Sequence, residues 1–269
     1  MRQLARAAYI TLIVGIGLFL CLPTLVVAVT SFSASAAISF PPTGFSLSWY
    51  ANFLTRLEFL RSLLLSLSLA IIVALTSVGL STFVALEIGR GSPRLRRLVE
   101  AIALIPLILP TIVFASALLL LAGRLQLTSS FLPTLIVLGG AHLMISLPFT
   151  VRICMSAYAA MPAAYEEAAN ITGAGSLLII WRIVLPSISS ALLAGGLFAF
   201  LISFDEPVVS LFLSRQDLVT LPVQIQTYMR FRPDPTIAAI STVMSALSLT
   251  TVLAVDRLFG LARIFGLNR

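Results

Sequence analysis

The stretch Glu166–Pro186, EEAANITGAGSLLIIWRIVLP, lies between two long apolar runs. It holds two adjacent glutamates, several small residues and a closing proline. Pro162, just upstream, suits the first turn of a helix. Glu166 and Glu167 follow within about one turn, where the helix dipole favours negative charge. Gly173 is placed to adopt the left-handed conformation that ends a helix. Ser176 is placed to cap a second helix over LLIIWRIV, and Pro186 to break the path and start the next apolar run. The spacing predicts a helix-turn-helix between Arg152 and Pro186, held outside the bilayer.

The rest of the chain explains why such a segment stands out. Its 269 residues are 59% hydrophobic and 10% charged, with a mean hydropathy of +1.08. Soluble domains carry about 25% charged residues. Six stretches reach the ~20 residues that cross a membrane: Ala8–Val29, Leu63–Leu86, Ala101–Ala122, Leu132–Val151, Ser187–Phe212 and Ile237–Val255. The chain therefore reads as an all-α membrane protein with six transmembrane helices. The 17 basic residues are all arginine, and the net charge is +7. They sit scattered at the ends of apolar runs and form no basic stripe, which excludes a nucleic-acid surface. Cys21 and Cys154 are too far apart in sequence to suggest a pair, and no ligand cluster points to a metal.

Arginine asymmetry gives an orientation. With a cytoplasmic N-terminus the inside segments carry more arginine than the outside ones, led by Arg90, Arg94, Arg96 and Arg97 in GRGSPRLRR. Both termini and the Glu166–Pro186 segment are then cytoplasmic. The N-terminal arginines and Ala34-Ser35-Ala36 resemble a secretory signal, but the Ala8–Val29 run exceeds a signal core and reads as an uncleaved first span. Residues 39–54, SFPPTGFSLSWYANFL, bring Trp49 and Tyr50 into the first outer loop, where a short interfacial helix is expected. The expected division is 1–59 for the first span and outer loop, 60–256 for a five-helix core and 257–269 for a cytoplasmic tail.

Glu167, Ala168 and Ala169, then Gly173, Ile183, Leu185 and Pro186, stand at the separations EAA---G---------I-LP. This pattern resembles the membrane subunits of bacterial binding-protein-dependent ABC importers, in the loop before the penultimate span. The resemblance implies a type I importer permease fold in the inner membrane, with this loop as a cytoplasmic coupling helix. Glu166 and these seven residues would engage a dimeric ATPase subunit, which binds ATP and Mg. The other implied partners are a second homologous permease and a periplasmic substrate-binding protein. The chain has no G-x-x-x-x-G-K-[ST] loop, so it is not expected to hydrolyse ATP or hold a cofactor itself.

SFDEPVVSLFL from Ser203, LPVQIQTYMR from Leu221 and PDPTIAAIST from Pro233 resemble the shorter permease of the spermidine/putrescine importer branch. That resemblance implies a polyamine as solute; importers of other small nitrogen compounds and organophosphonates are similar too. Asp205 and Glu206 lie about 29 Å beyond Pro186 along a helix, near the outer end of the fifth span. Intramembrane acids are costly and mark functional positions, and Pro207 can break the helix beside them. The pair either draws a cationic solute at the outer gate or pairs with an arginine such as Arg215 or one on a partner. His142, mid-span, is expected to hydrogen-bond a neighbouring helix. Pro106, Pro110 and Pro148 predict kinks. A secondary transporter would show internal repeats and an intramembrane enzyme a catalytic set; neither signal is found.

Overall fold

The computed structural model describes residues 2–259; residues 260–269, most of the expected tail, lie outside the described part. The helices are α1 (Arg2–Thr30), α2 (Ser48–Thr55), α3 (Leu57–Ile88), α4 (Pro93–Ile108), α5 (Thr111–Arg124) and α6 (Phe131–Ala160). They continue with α7 (Ala164–Ile171), α8 (Ser176–Ile179), a π turn (Ile180–Val184), α9 (Leu185–Phe204), α10 (Val208–Leu213), α11 (Leu221–Phe231) and α12 (Thr236–Phe259). Among the described residues, five spans are single helices: Tyr9–Thr30, Leu57–Ile88, Phe131–Ala160, Ser176–Phe204 and Thr236–Arg257. Counted as one span, the bent pair α4–α5 makes a sixth.

Three expectations change. The third span is not one helix: α4 and α5 meet at 92°. Pro110 lacks the N–H that would continue α4, and it forces Leu109 into an extended conformation. The fifth span ends at Phe204 rather than Phe212, with Asp205 as its C-cap. The helix-turn-helix is also shorter than expected. α6 runs on to Ala160, Ser176 makes no capping bond, and Pro186 does not break the path. Instead the turn widens just before the proline: the Leu185 N–H donates to the Ile180 carbonyl, five residues back. A π turn there absorbs the missing Pro186 donor without ending the helix.

The chain divides into two compact units. One comprises, among the described residues, 2–61 and 224–249. Its loop after α1 is pinned by the Trp49 indole, which donates to the Ser33 carbonyl at 2.7 Å, and by a 2.6 Å bond between the Tyr50 and Ser31 hydroxyls. The expected short helix is α2. Behind it Phe53, Phe59 and Tyr228 pack ring on ring, Arg56 stacks on Tyr228, and the Asn52 amide donates to the Thr236 hydroxyl at 2.8 Å.

The other unit comprises, among the described residues, 62–223 and 250–259. Apolar side chains give little driving force between helices in lipid, so small residues and hydrogen bonds must hold them. The Thr150 hydroxyl on α6 bonds both Ser77 (2.6 Å) and Ser81 (2.8 Å) of α3. On α9, a Cβ at Gly195 would stand 3.3 Å from the Thr150 methyl, so glycine is what permits this approach. One apolar cluster joins Leu69, Phe114, Leu138, Ile145 and Val209. A second joins Ala85, Met155, Tyr158, Ile179 and Val184, beneath α7.

Candidate functional site

The Glu166–Pro186 segment folds as a short exposed helix followed by a tight turn. Glu166 and Glu167 occupy the first turn of α7, where the unpaired N–H groups favour carboxylates. The exit from α7 is a Schellman turn. Gly173 takes φ +80°, its N–H donates to Asn170, and the Ala174 N–H reaches the Ala169 carbonyl at 3.2 Å. No other described glycine has a positive φ, and a Cβ here would be strained.

The motif residues split between two faces. Glu167, Ala168, Gly173 and Pro186 are exposed. Ala169 and Ile183 pack against the Ala85–Val184 cluster, and Leu185 is half-buried. Small Ala169 lets α7 sit low on this cluster, while Ala168 leaves a flat surface outside. The adjacent glutamates therefore have different surroundings. Glu166 turns inward: its Oε2 accepts from the Arg90 guanidinium at 2.9 Å, and the Tyr158 hydroxyl stands 3.5 Å away. Sequence reading grouped Glu166 with Glu167; the structure turns its side chain to Arg90, away from the exposed face of Glu167 and Ala168. Arg90 was missed, though its place in the arginine cluster of the α3–α4 turn was a signal.

The acidic pair at the end of α9 also separates. Asp205 caps α9 and is exposed. Glu206 is half-buried, and its Oε1 accepts the backbone N–H groups of Val208 (2.8 Å) and Val209 (3.0 Å) at the start of α10. Arg215 is not their partner. It pairs with Asp217 at 3.0 Å and donates to the Thr128 carbonyl. His142 spans the break between α9 and α10: Nδ1 lies 2.9 Å from Ser203 Oγ and Nε2 3.0 Å from Ser210 Oγ, all three residues buried. That is the inter-helix bonding its mid-span position predicts. Among the described residues, no cluster of His, Cys, Asp or Glu could hold a metal ion.

The described residues form a polytopic helical protein with stapled, interrupted spans and a short exposed helix between two of them. Residues 77–262 match the family of binding-protein-dependent transport system inner membrane components, and the chain belongs to that family, as the permease of an ABC importer. The spermidine/putrescine transport system permease protein PotC of Escherichia coli K12 is 27% identical over 252 residues, covering 94% of this chain and 92% of that one. The putrescine transport system permease protein PotI of the same strain is 28% identical over 233 residues, covering 84% and 81%. In fold, the chain is similar to the crystal structure of a bacterial ABC transporter involved in the import of the acidic polysaccharide alginate. The TM-score is 0.75 at 18% identity, over 96% of this chain and 97% of that one.

Proposed function

We propose that this permease forms part of the pathway of an ATP-driven importer for a polyamine of the spermidine or putrescine kind, and that α7 couples it to a separate ATPase dimer. The observation that carries the coupling reading is the outward face of α7. Glu167 and Ala168 are exposed beside a turn fixed by Gly173, at the spacing of the importer motif. A carboxylate beside a flat alanine surface suits a groove with an arginine at its rim, and the Schellman turn stiffens the knob. In this reading the ATPase binds ATP and Mg, a second homologous permease completes the pathway, and a periplasmic binding protein delivers the solute. Both termini and α7 face the cytoplasm, as the arginine asymmetry favours.

The polyamine assignment is supported by the relatives' transport of such solutes and by Asp205, an exposed carboxylate at the break after α9. Glu206 is committed to capping α10, so Asp205 is the member of the pair free to meet a cation. Two measurements test these readings. A crosslinker on Ala168→Cys should capture the ATPase subunit; failure to capture it removes the coupling role. Labelled spermidine and putrescine titrated against the cognate binding protein should saturate it; no binding of either removes the polyamine.

A further inference from the structure

Arg90 lies in the turn between α3 and α4, outside the importer motif, yet three residues of two other elements, α6 and α7, converge on it. Its Nη1 donates to Glu166 Oε2 in the first turn of α7 at 2.9 Å. Its Nη2 donates at 3.1 Å to the carbonyl of Met161, the C-cap of α6. The guanidinium plane lies over the Tyr158 ring of α6, 4.7 Å from its centroid. Neighbouring Gly89 makes the stack possible: a Cβ there would stand 2.8 Å from Tyr158 Cδ1. A planar fork that stacks and donates along two edges is a task for arginine and not for lysine.

The packing around α7 is open on the side of α3. A cleft of about 190 Å³ opens beneath it, lined by Glu87, Tyr158, Glu166, Asn170, Ser176 and Ile179 among others. Glu166 Oε1 is buried with no hydrogen-bond partner. α7 thus has room to shift toward α3. The chain joins it to α6 and α8, whereas its tie to the α3–α4 turn is the bond from Arg90. A seat with a void tolerates sliding; a guanidinium that bonds Glu166 of α7 and the Met161 carbonyl of α6 together opposes it.

We infer that Arg90 is a positioning residue that latches α7 to the end of α3, so that displacement of α7 enters α3 as well as α6 and α9. This rests on the reading that α7 docks on an ATPase, and the experiment separates the two. The complete complex, with partner permease, ATPase and binding protein, is assembled in nanodiscs. ATP hydrolysis is measured with and without the binding protein, beside crosslinker capture of the ATPase from Ala168→Cys. Arg90→Ala is expected to retain capture while stimulation by the binding protein falls to less than a fifth of that in the parent complex. Arg90→Lys is expected to restore little of it, because it keeps the charge without the fork. Glu166→Ala, which removes the α7 end of the contact, is expected to give a similar fall, and Arg90→Ala with Glu166→Ala no further fall, a non-additivity that a general loss of structure would not give. Stimulation within twofold of the parent in Arg90→Ala overturns the latch, as does a double variant whose loss is the product of the two single losses. Absence of capture in the complex that retains Arg90 overturns the docking reading instead.

Discussion

His142 and Ser203 are joined by a 2.9 Å hydrogen bond, and the other ring nitrogen reaches Ser210 at 3.0 Å. The two serines flank the Asp205–Pro207 break, so a single imidazole holds its two sides in register. A neutral ring offers one donor and one acceptor, and each hydroxyl can take either role. His142→Ala leaves two buried hydroxyls without this partner and opens a void. The expected cost is about 2–4 kcal/mol, read as a lowered unfolding midpoint of the purified protein. His142→Gln, which keeps a donor and an acceptor, should lose less.

Ala168→Trp tests the outer face of α7. A large side chain on a flat docking surface should reduce solute uptake more than tenfold. The amount of protein in the membrane should stay unchanged, because the position is exposed and contributes no core contact. Western blotting of membranes beside an uptake assay reads both quantities.

The two acids after α9 should respond differently. Asp205→Asn removes a charge that caps nothing through its side chain among the described residues, so it should lower uptake of a cationic solute about tenfold with little change in stability. Glu206→Gln keeps a carbonyl that can accept from Val208 and Val209 and should be mild. Glu206→Ala loses the cap and should cost about 1 kcal/mol in thermal unfolding.

Gly173→Ala forces an L side chain into φ +80°. The expected penalty is about 1 kcal/mol, confined to the exit of α7 and visible as faster amide exchange at Asn170–Ala174. Gly195→Val is a different case. Its side chain would meet Thr150 at the crossing of α9 and α6 and should cost about 1–3 kcal/mol of global stability.

The spans and the motif were legible in the sequence because both depend on local information: uninterrupted apolar length, and fixed separations within one loop. The Gly173 turn and the break at Pro207 were legible for the same reason. The 92° bend was not, since Pro110 announces a lost hydrogen bond but not the direction in which the chain departs. The π turn escaped because Pro186 reads equally as a stop or as the end of a widened turn. The separation of Glu166 from Glu167 was out of reach. Neighbours on a helix point about 100° apart, and which one faces inward is set by Arg90, 76 residues away. His142 likewise announced a partner without naming it, because Ser203 and Ser210 lie 61 and 68 positions further on.

The continuity of Ser176–Phe204 has a mechanical consequence. These 29 residues form one shaft with its foot beside α7 and its tip at Asp205. At 1.5 Å per residue the shaft is about 43 Å long, so tilting it ten degrees about its foot sweeps the tip through about 7 Å, wider than a hydrated ammonium group. A flexible joint at Pro186 would have dissipated that swing; the π turn preserves the leverage while leaving one point where the rod can twist.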